Sequence, residues 1–186
     1  FMQENKLPAG RIYMGTVTGN INKALQEKYN IANIIVSDEN YQLHLNHPKL
    51  DSAKTNKKEL IQWIIERLST EPGISHAFAL DDLNNVPLPS MIRKMINNGY
   101  NPLRNGEIQI ILLPHYIDAY SATGTTHGLW NPYDSHIPLL WYGWGIKQGK
   151  TNKETYMTDI APTLAAMLRI QMPSGCVGHV IEEVMK

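Results

Sequence analysis

The segment Glu107–Pro114 constrains the fold more than any other stretch, because Ile108, Ile110, Ile111, Leu112 and Leu113 form an almost unbroken apolar run. Such a run suits a strand covered on both faces, the place that α/β proteins give to their central strands. It is too short to cross a bilayer, and nowhere does the chain offer about 18 consecutive apolar residues. No membrane span is expected. Charge disfavours a second class of partner. The 17 Lys+Arg balance 17 Asp+Glu, which leaves no basic surplus to neutralise phosphates, so no nucleic acid is expected as a partner. The 186 residues fit one ordinary domain, or one compact domain with a small appendage. The single cysteine, Cys176, rules out an internal disulfide and a thiolate-rich metal cluster.

The pattern around this run gives the order of elements. Residues 11–18 are rich in β-formers and read as a strand, after which Gly19-Asn20 punctuates the chain and Asn20 caps a helix carrying Ile21, Ala24, Leu25 and Tyr29. Ala32–Ser37, the turn Asp38-Glu39-Asn40 and the alternating Tyr41, Leu43 and Leu45 predict a hairpin. Thr55 or Asn56 begins an amphipathic helix with Leu60, Ile61, Ile64, Ile65 and Leu68 on one face, ended by Pro72-Gly73, and Ile74–Leu80 follows as a strand. This βαββαβ order over residues 11–80 predicts a ferredoxin-like layer with two helices on one face. Further on, Pro89–Asn98 reads as a helix, Ile137–Tyr142 as a second apolar strand, Thr158–Leu168 as a helix and Val180–Val184 as a short strand. The expected division is an inserted cap-like α+β layer over residues 1–100, and strands of a main α/β sheet returning over residues 107–186.

Chemistry concentrates in the loop Gly124-Thr125-Thr126-His127-Gly128. Its glycines let the backbone approach a bound group, and a histidine on a loop beyond a buried strand sits where α/β proteins place their sites. His127 is therefore a metal ligand, an acid–base group or a hydrogen-bonding turn residue. His136 and Asp134, at the mouth of the next apolar strand, are candidates to orient it, with Thr126 beside it, or are simple loop residues. His115 follows the buried strand and is eligible for the same crevice. His44, His47, His76 and His179 share no ligand spacing. A catalytic zinc centre needs three or so protein ligands, and the chain has no His-x-x-x-His, Asp-x-x-x-His or Asp-His pair to supply them. A Gly-x-Ser-x-Gly elbow, a phosphate-binding Walker loop and a dinucleotide fingerprint are likewise lacking.

Three motifs taken together resemble the carboxyl-terminal third of the alkaline phosphatase superfamily. They are Gly124 to Gly128, then Tyr133-Asp134-Ser135-His136-Ile137-Pro138 through Gly143, then Thr158-Asp159-Ile160-Ala161-Pro162-Thr163 through Leu168 with Pro173–Gly178. Within it the likeness is to the type I phosphodiesterase/nucleotide pyrophosphatase branch, especially bacterial alkaline phosphatases with a threonine nucleophile. The resemblance implies a hydrolase in which two zinc ions clamp a phosphate ester and a Thr or Ser attacks it, with His127 holding one zinc. The nucleophile and the other ligands of such proteins lie upstream of anything matching Phe1. The chain is thus expected to be a carboxyl-terminal fragment, inactive and without stably bound zinc by itself, prone to self-association, and derived from a periplasmic protein. A ferredoxin-like binding or regulatory module with no catalytic residue is the alternative. A sulfatase or phosphoglycerate mutase chemistry on the same fold is a third reading.

Overall fold

The computed structural model describes residues 2, 4–124 and 126–185, so Phe1 and Thr125 of the glycine-rich motif lie outside the described residues. The chain forms two compact units, Phe1–His136 and Ile137–Lys186. In the first, β1 (Gly10–Ile12) runs into α1 (Met14–Tyr29), followed by β2 (Ile35–Ser37), β3 (Gln42–Leu45), α2 (His47–Ser52) and α3 (Lys57–Leu68). Then come β4 (Ile74–Ala79), α4 (Ser90–Gly99), β5 (Ile108–Leu112), β6 (Tyr116–Asp118) and the single turn α5 (Pro132–Ser135). The α/β reading of the sequence holds.

The apolar run is β5, and all five of its residues are buried. It lies inside an antiparallel sheet of order β2-β3-β5-β4, with Gln42 and Phe78 on either side of Gln109. Side chains alternate across a strand. Ile108, Ile110 and Leu112 accordingly join Leu25 of α1 and Leu60, Ile64 and Leu68 of α3 in one core. Ile111 faces the other way, with Phe78, Leu80, Leu83 and Ile96 of α4. Helices on both faces explain why the run needs no polar alternation. Gln109, 1% exposed, is the polar exception. Its amide donates to the Tyr41 carbonyl and its Oε1 accepts from Gln42, which satisfies the buried group.

The hairpin of β2 and β3 and the helix α3 match expectation, and Asn56 caps α3 by accepting from the amides of Lys58 and Glu59. The start of the chain does not. The expected strand 11–18 ends at Ile12, and α1 runs through Thr16, Val17 and Thr18 and on past Gly19-Asn20. Strand propensity of β-branched residues is overridden here by tertiary context, since Met14, Val17, Ile21 and Leu25 make one buried helical stripe. The first amide of the helix donates to the Asp118 carboxylate, a partner 104 residues away that no local pattern reveals.

The ferredoxin-like layer is corrected in the same way. β1 leaves the sheet and pairs in parallel with β6 in a separate two-stranded ribbon. β5 takes the central position between β3 and β4 that the βαββαβ order assigned to the first strand. In the second unit, α6 (Ile160–Leu168) is the expected helix, preceded by a 3-10 turn at Met157–Asp159. Ile137–Tyr142 is not a strand: it has no ladder partner among the described residues, and Ile137, Leu140 and Tyr142 are exposed. Val180–Val184 is not a strand either, because α7 (Glu182–Met185) occupies it and turns Val184 inward, with Ile181 buried just before it. In both places apolar content was read as strand, and periodicity over so few residues does not separate the two.

Candidate functional site

A cleft of about 580 Å³ opens in the first unit beside the sheet. The segment after β2 forms one wall: Asp38 to Gln42, including a turn in which Asn40 and Tyr41 both adopt left-handed backbone angles, φ 55° and 59°. Gln109 of β5, Asp118 of β6, Ile96 and Gly99 of α4, and Thr126, His127, Gly128 and Trp130 also line it.

His127 is exposed on irregular backbone, flanked by Gly128 at φ 113°. Thr126 also lines the cleft, and its hydroxyl donates to the His127 carbonyl at 3.3 Å. Asp38 and Asp118 bring carboxylates to the cleft, and each commits one oxygen to the start of α1: Asp38 accepts from the Thr18 hydroxyl and Asp118 from the Met14 amide. Burial first, and then the negative charge of Asp118, raise the Tyr41 phenol above its ordinary 10.0. The indole N–H of Trp130 is buried with no hydrogen-bond partner among the described residues.

The other sequence candidates fall elsewhere. His136 ends α5, its amide bonded to the Pro132 carbonyl, and it is not part of the cleft lining. Asp134 is half-buried within α5, outside the lining but near enough for its charge to contribute to the raised Tyr41 phenol. His115 stacks on Tyr133 at 5.1 Å and its amide donates to the Tyr133 hydroxyl. Asp38 and Asp118 are the lining residues that sequence reasoning missed. Asp38 passed as a turn residue, and Asp118 sits at the end of a three-residue strand too short to stand out.

The chemistry available follows from this inventory. One exposed imidazole, with carboxylates in the same cleft, can accept or donate a proton or give one nitrogen to a metal. Among the described residues no group of three His, Cys, Asp or Glu side chains gathers to hold an ion.

Against known proteins, the chain is similar over its whole length to one portion of proteins named alkaline phosphatases. It is 42% identical over 185 residues to alkaline phosphatase PafA of Elizabethkingia meningoseptica, covering 100% of this chain and 34% of that protein. It is 38% identical to alkaline phosphatase PhoV of Synechococcus elongatus, covering 98% of this chain and 32% of the relative. A Myroides odoratus protein named a calcium-transporting ATPase is 36% identical over 100% of this chain and 34% of its own length. The crystal structure of wild-type PafA superposes with a TM-score of 0.93 at 41% identity, over 100% of this chain and 35% of that one. No family model matches the chain. It spans about a third of the length of the curated relatives it matches.

Proposed function

We propose that this chain is the part of a phosphate-ester hydrolase that supplies one wall of the active site, with His127 as one zinc ligand. The observation that carries the reading is the unbroken match, in sequence and fold, to alkaline phosphatases about three times as long. In this reading a polypeptide of the relatives' length binds two zinc ions, attacks the phosphorus with a Thr or Ser through a covalent phospho-enzyme, and works in the periplasm. It belongs with the type I phosphodiesterase/nucleotide pyrophosphatase branch. His136, Asp134 and Thr126 hold the loop and its surroundings in place. One imidazole does not fix a metal in catalytic geometry, so the 186-residue chain alone is inactive. Exposed Leu140, Tyr142 and Trp144 make it self-associate. The ATPase name of one relative is compatible at the level of the bond, since both names describe cleavage of a phosphoryl–oxygen bond.

The test is activity in a polypeptide extended to the relatives' length. Zinc-dependent hydrolysis of p-nitrophenyl phosphate is expected there, falling at least a hundredfold in His127→Ala, while the 186-residue chain gives none. Full activity in the extended His127→Ala variant, or zinc-dependent turnover by the chain alone, overturns the proposal.

A further inference from the structure

We infer that the segment Arg11–Gly15 is a clasp that positions the His127 loop, and that Arg11 is its principal positioning residue. This rests on the reading of His127 as a metal ligand. Among the described residues, the loop after β6 has no helix or strand from residue 119 to residue 131, and its residues 120–124 and 126–128 are exposed. Beyond the pairing of β1 with β6, three contacts tie its residues Ala119, Tyr120 and Gly124 to one short stretch of chain more than 100 residues earlier.

The tie begins as strand pairing, Arg11 opposite Ile117 and Ile12 opposite Asp118. It extends past the strand, because the Ala119 amide donates to the Ile12 carbonyl at 3.1 Å and the Met14 amide donates to Asp118. The Tyr13 and Tyr120 rings then stack at 5.3 Å. Tyr120 can lie there because residue 15 is glycine: a Cβ on Gly15 would overlap the Tyr120 hydroxyl. Finally the Arg11 guanidinium donates from Nη2 to the Gly124 carbonyl at 3.0 Å. Five residues beyond Gly124, Leu129 is buried in the main core. His127 thus rides on a short bridge fixed at one end by Arg11 and at the other by Leu129. Tethering Gly124 and Leu129, five positions apart in the sequence, lowers the entropy that His127 gives up on taking a metal.

The test uses Arg11→Met, Arg11→Lys, Gly15→Ala and His127→Ala. Gly15→Ala keeps the protein folded, since alanine favours the helix and the clash is with the far end of a side chain that can swing away. In the 186-residue chain, Arg11→Met and Gly15→Ala are expected to shift and broaden the His127 ring resonance while the melting midpoint stays near wild type. Arg11→Lys, which keeps a donor to Gly124, restores most of the wild-type position. In the extended polypeptide, Arg11→Met weakens zinc binding roughly tenfold, the lower end for groups that orient a ligand. An unmoved His127 resonance in both folded variants overturns the clasp, whatever zinc does. Unchanged zinc affinity in His127→Ala overturns the metal reading alone, and the clasp is then judged on the resonance.

Discussion

The 186-residue chain alone should bind zinc only weakly. Four-ligand structural zinc sites release about 10–16 kcal/mol on binding, or about 2.5–4 kcal/mol per ligand. The cleft offers His127, and no group of three ligating side chains forms among the described residues. One imidazole at that value corresponds to a Kd on the order of 1 mM or weaker. At about 0.1 mM free zinc such a site would stabilise the fold by roughly 0.1 kcal/mol or less. For a chain of this size that is a shift well under about 1 °C in the melting midpoint. Calorimetric melting with and without zinc, and metal analysis after dialysis, read both quantities. His127→Ala separates its contribution from exposed His47 and the other surface histidines. A micromolar Kd that disappears in His127→Ala, or a rise of several degrees, refutes the reasoning, because it means that this chain assembles more of a site than one ligand.

Asp159, 6% exposed, accepts from the amides of Tyr156 and His179 at 2.8 Å each. Asp159→Ala strands both donors, and at about 1–3 kcal/mol each it is expected to release residues 176–185 to fast hydrogen exchange; unchanged protection there contradicts this. Leu60, fully buried on α3, should cost about 2–5 kcal/mol as Leu60→Ala, read as a lower urea midpoint at constant m-value. Tyr41 has a raised pKa in the folded state, so above pH 10.0 the unfolded chain releases a proton that the folded chain still holds. Stability is therefore full below that pH and is lost as pH rises through the folded value; Tyr41→Phe should flatten this decline in melts between about pH 9 and 11.

What could be read in the sequence was whatever local periodicity controls. β5, the hairpin, α3 with its Asn56 cap, α4 and α6 all carry patterns of at least five residues whose spacing has one sensible answer. The failures share a physical cause. α1 is helical because its apolar stripe joins β5 in one core and because Asp118 receives its first amide, both decided by residues about 80 to 100 positions away. The short segments 137–142 and 180–184 hold too few residues for period 2 and period 3.6 to be told apart. For the site, glycines around an imidazole marked His127, and the structure sets it on the wall of a cleft. The cleft's carboxylates have no local signature, because Asp38 and Asp118 come to one cleft through the turn after β2 and the parallel pairing of β1 with β6.

The position of β5 also carries a consequence for how the molecule assembles. Of the four sheet strands it is the last to be synthesised, yet it belongs in the middle, its Gln109 opposite Gln42, which was made 67 residues earlier. Until residue 112 emerges, the β2–β3 hairpin and β4 have nothing between them, and each presents an open edge. The sheet closes in one late insertion that must meet two partners at once, a non-local step of the kind that slows folding. A nascent chain stalled before residue 108 should therefore be the species that chaperones must shield, and β5 the segment whose arrival ends that need.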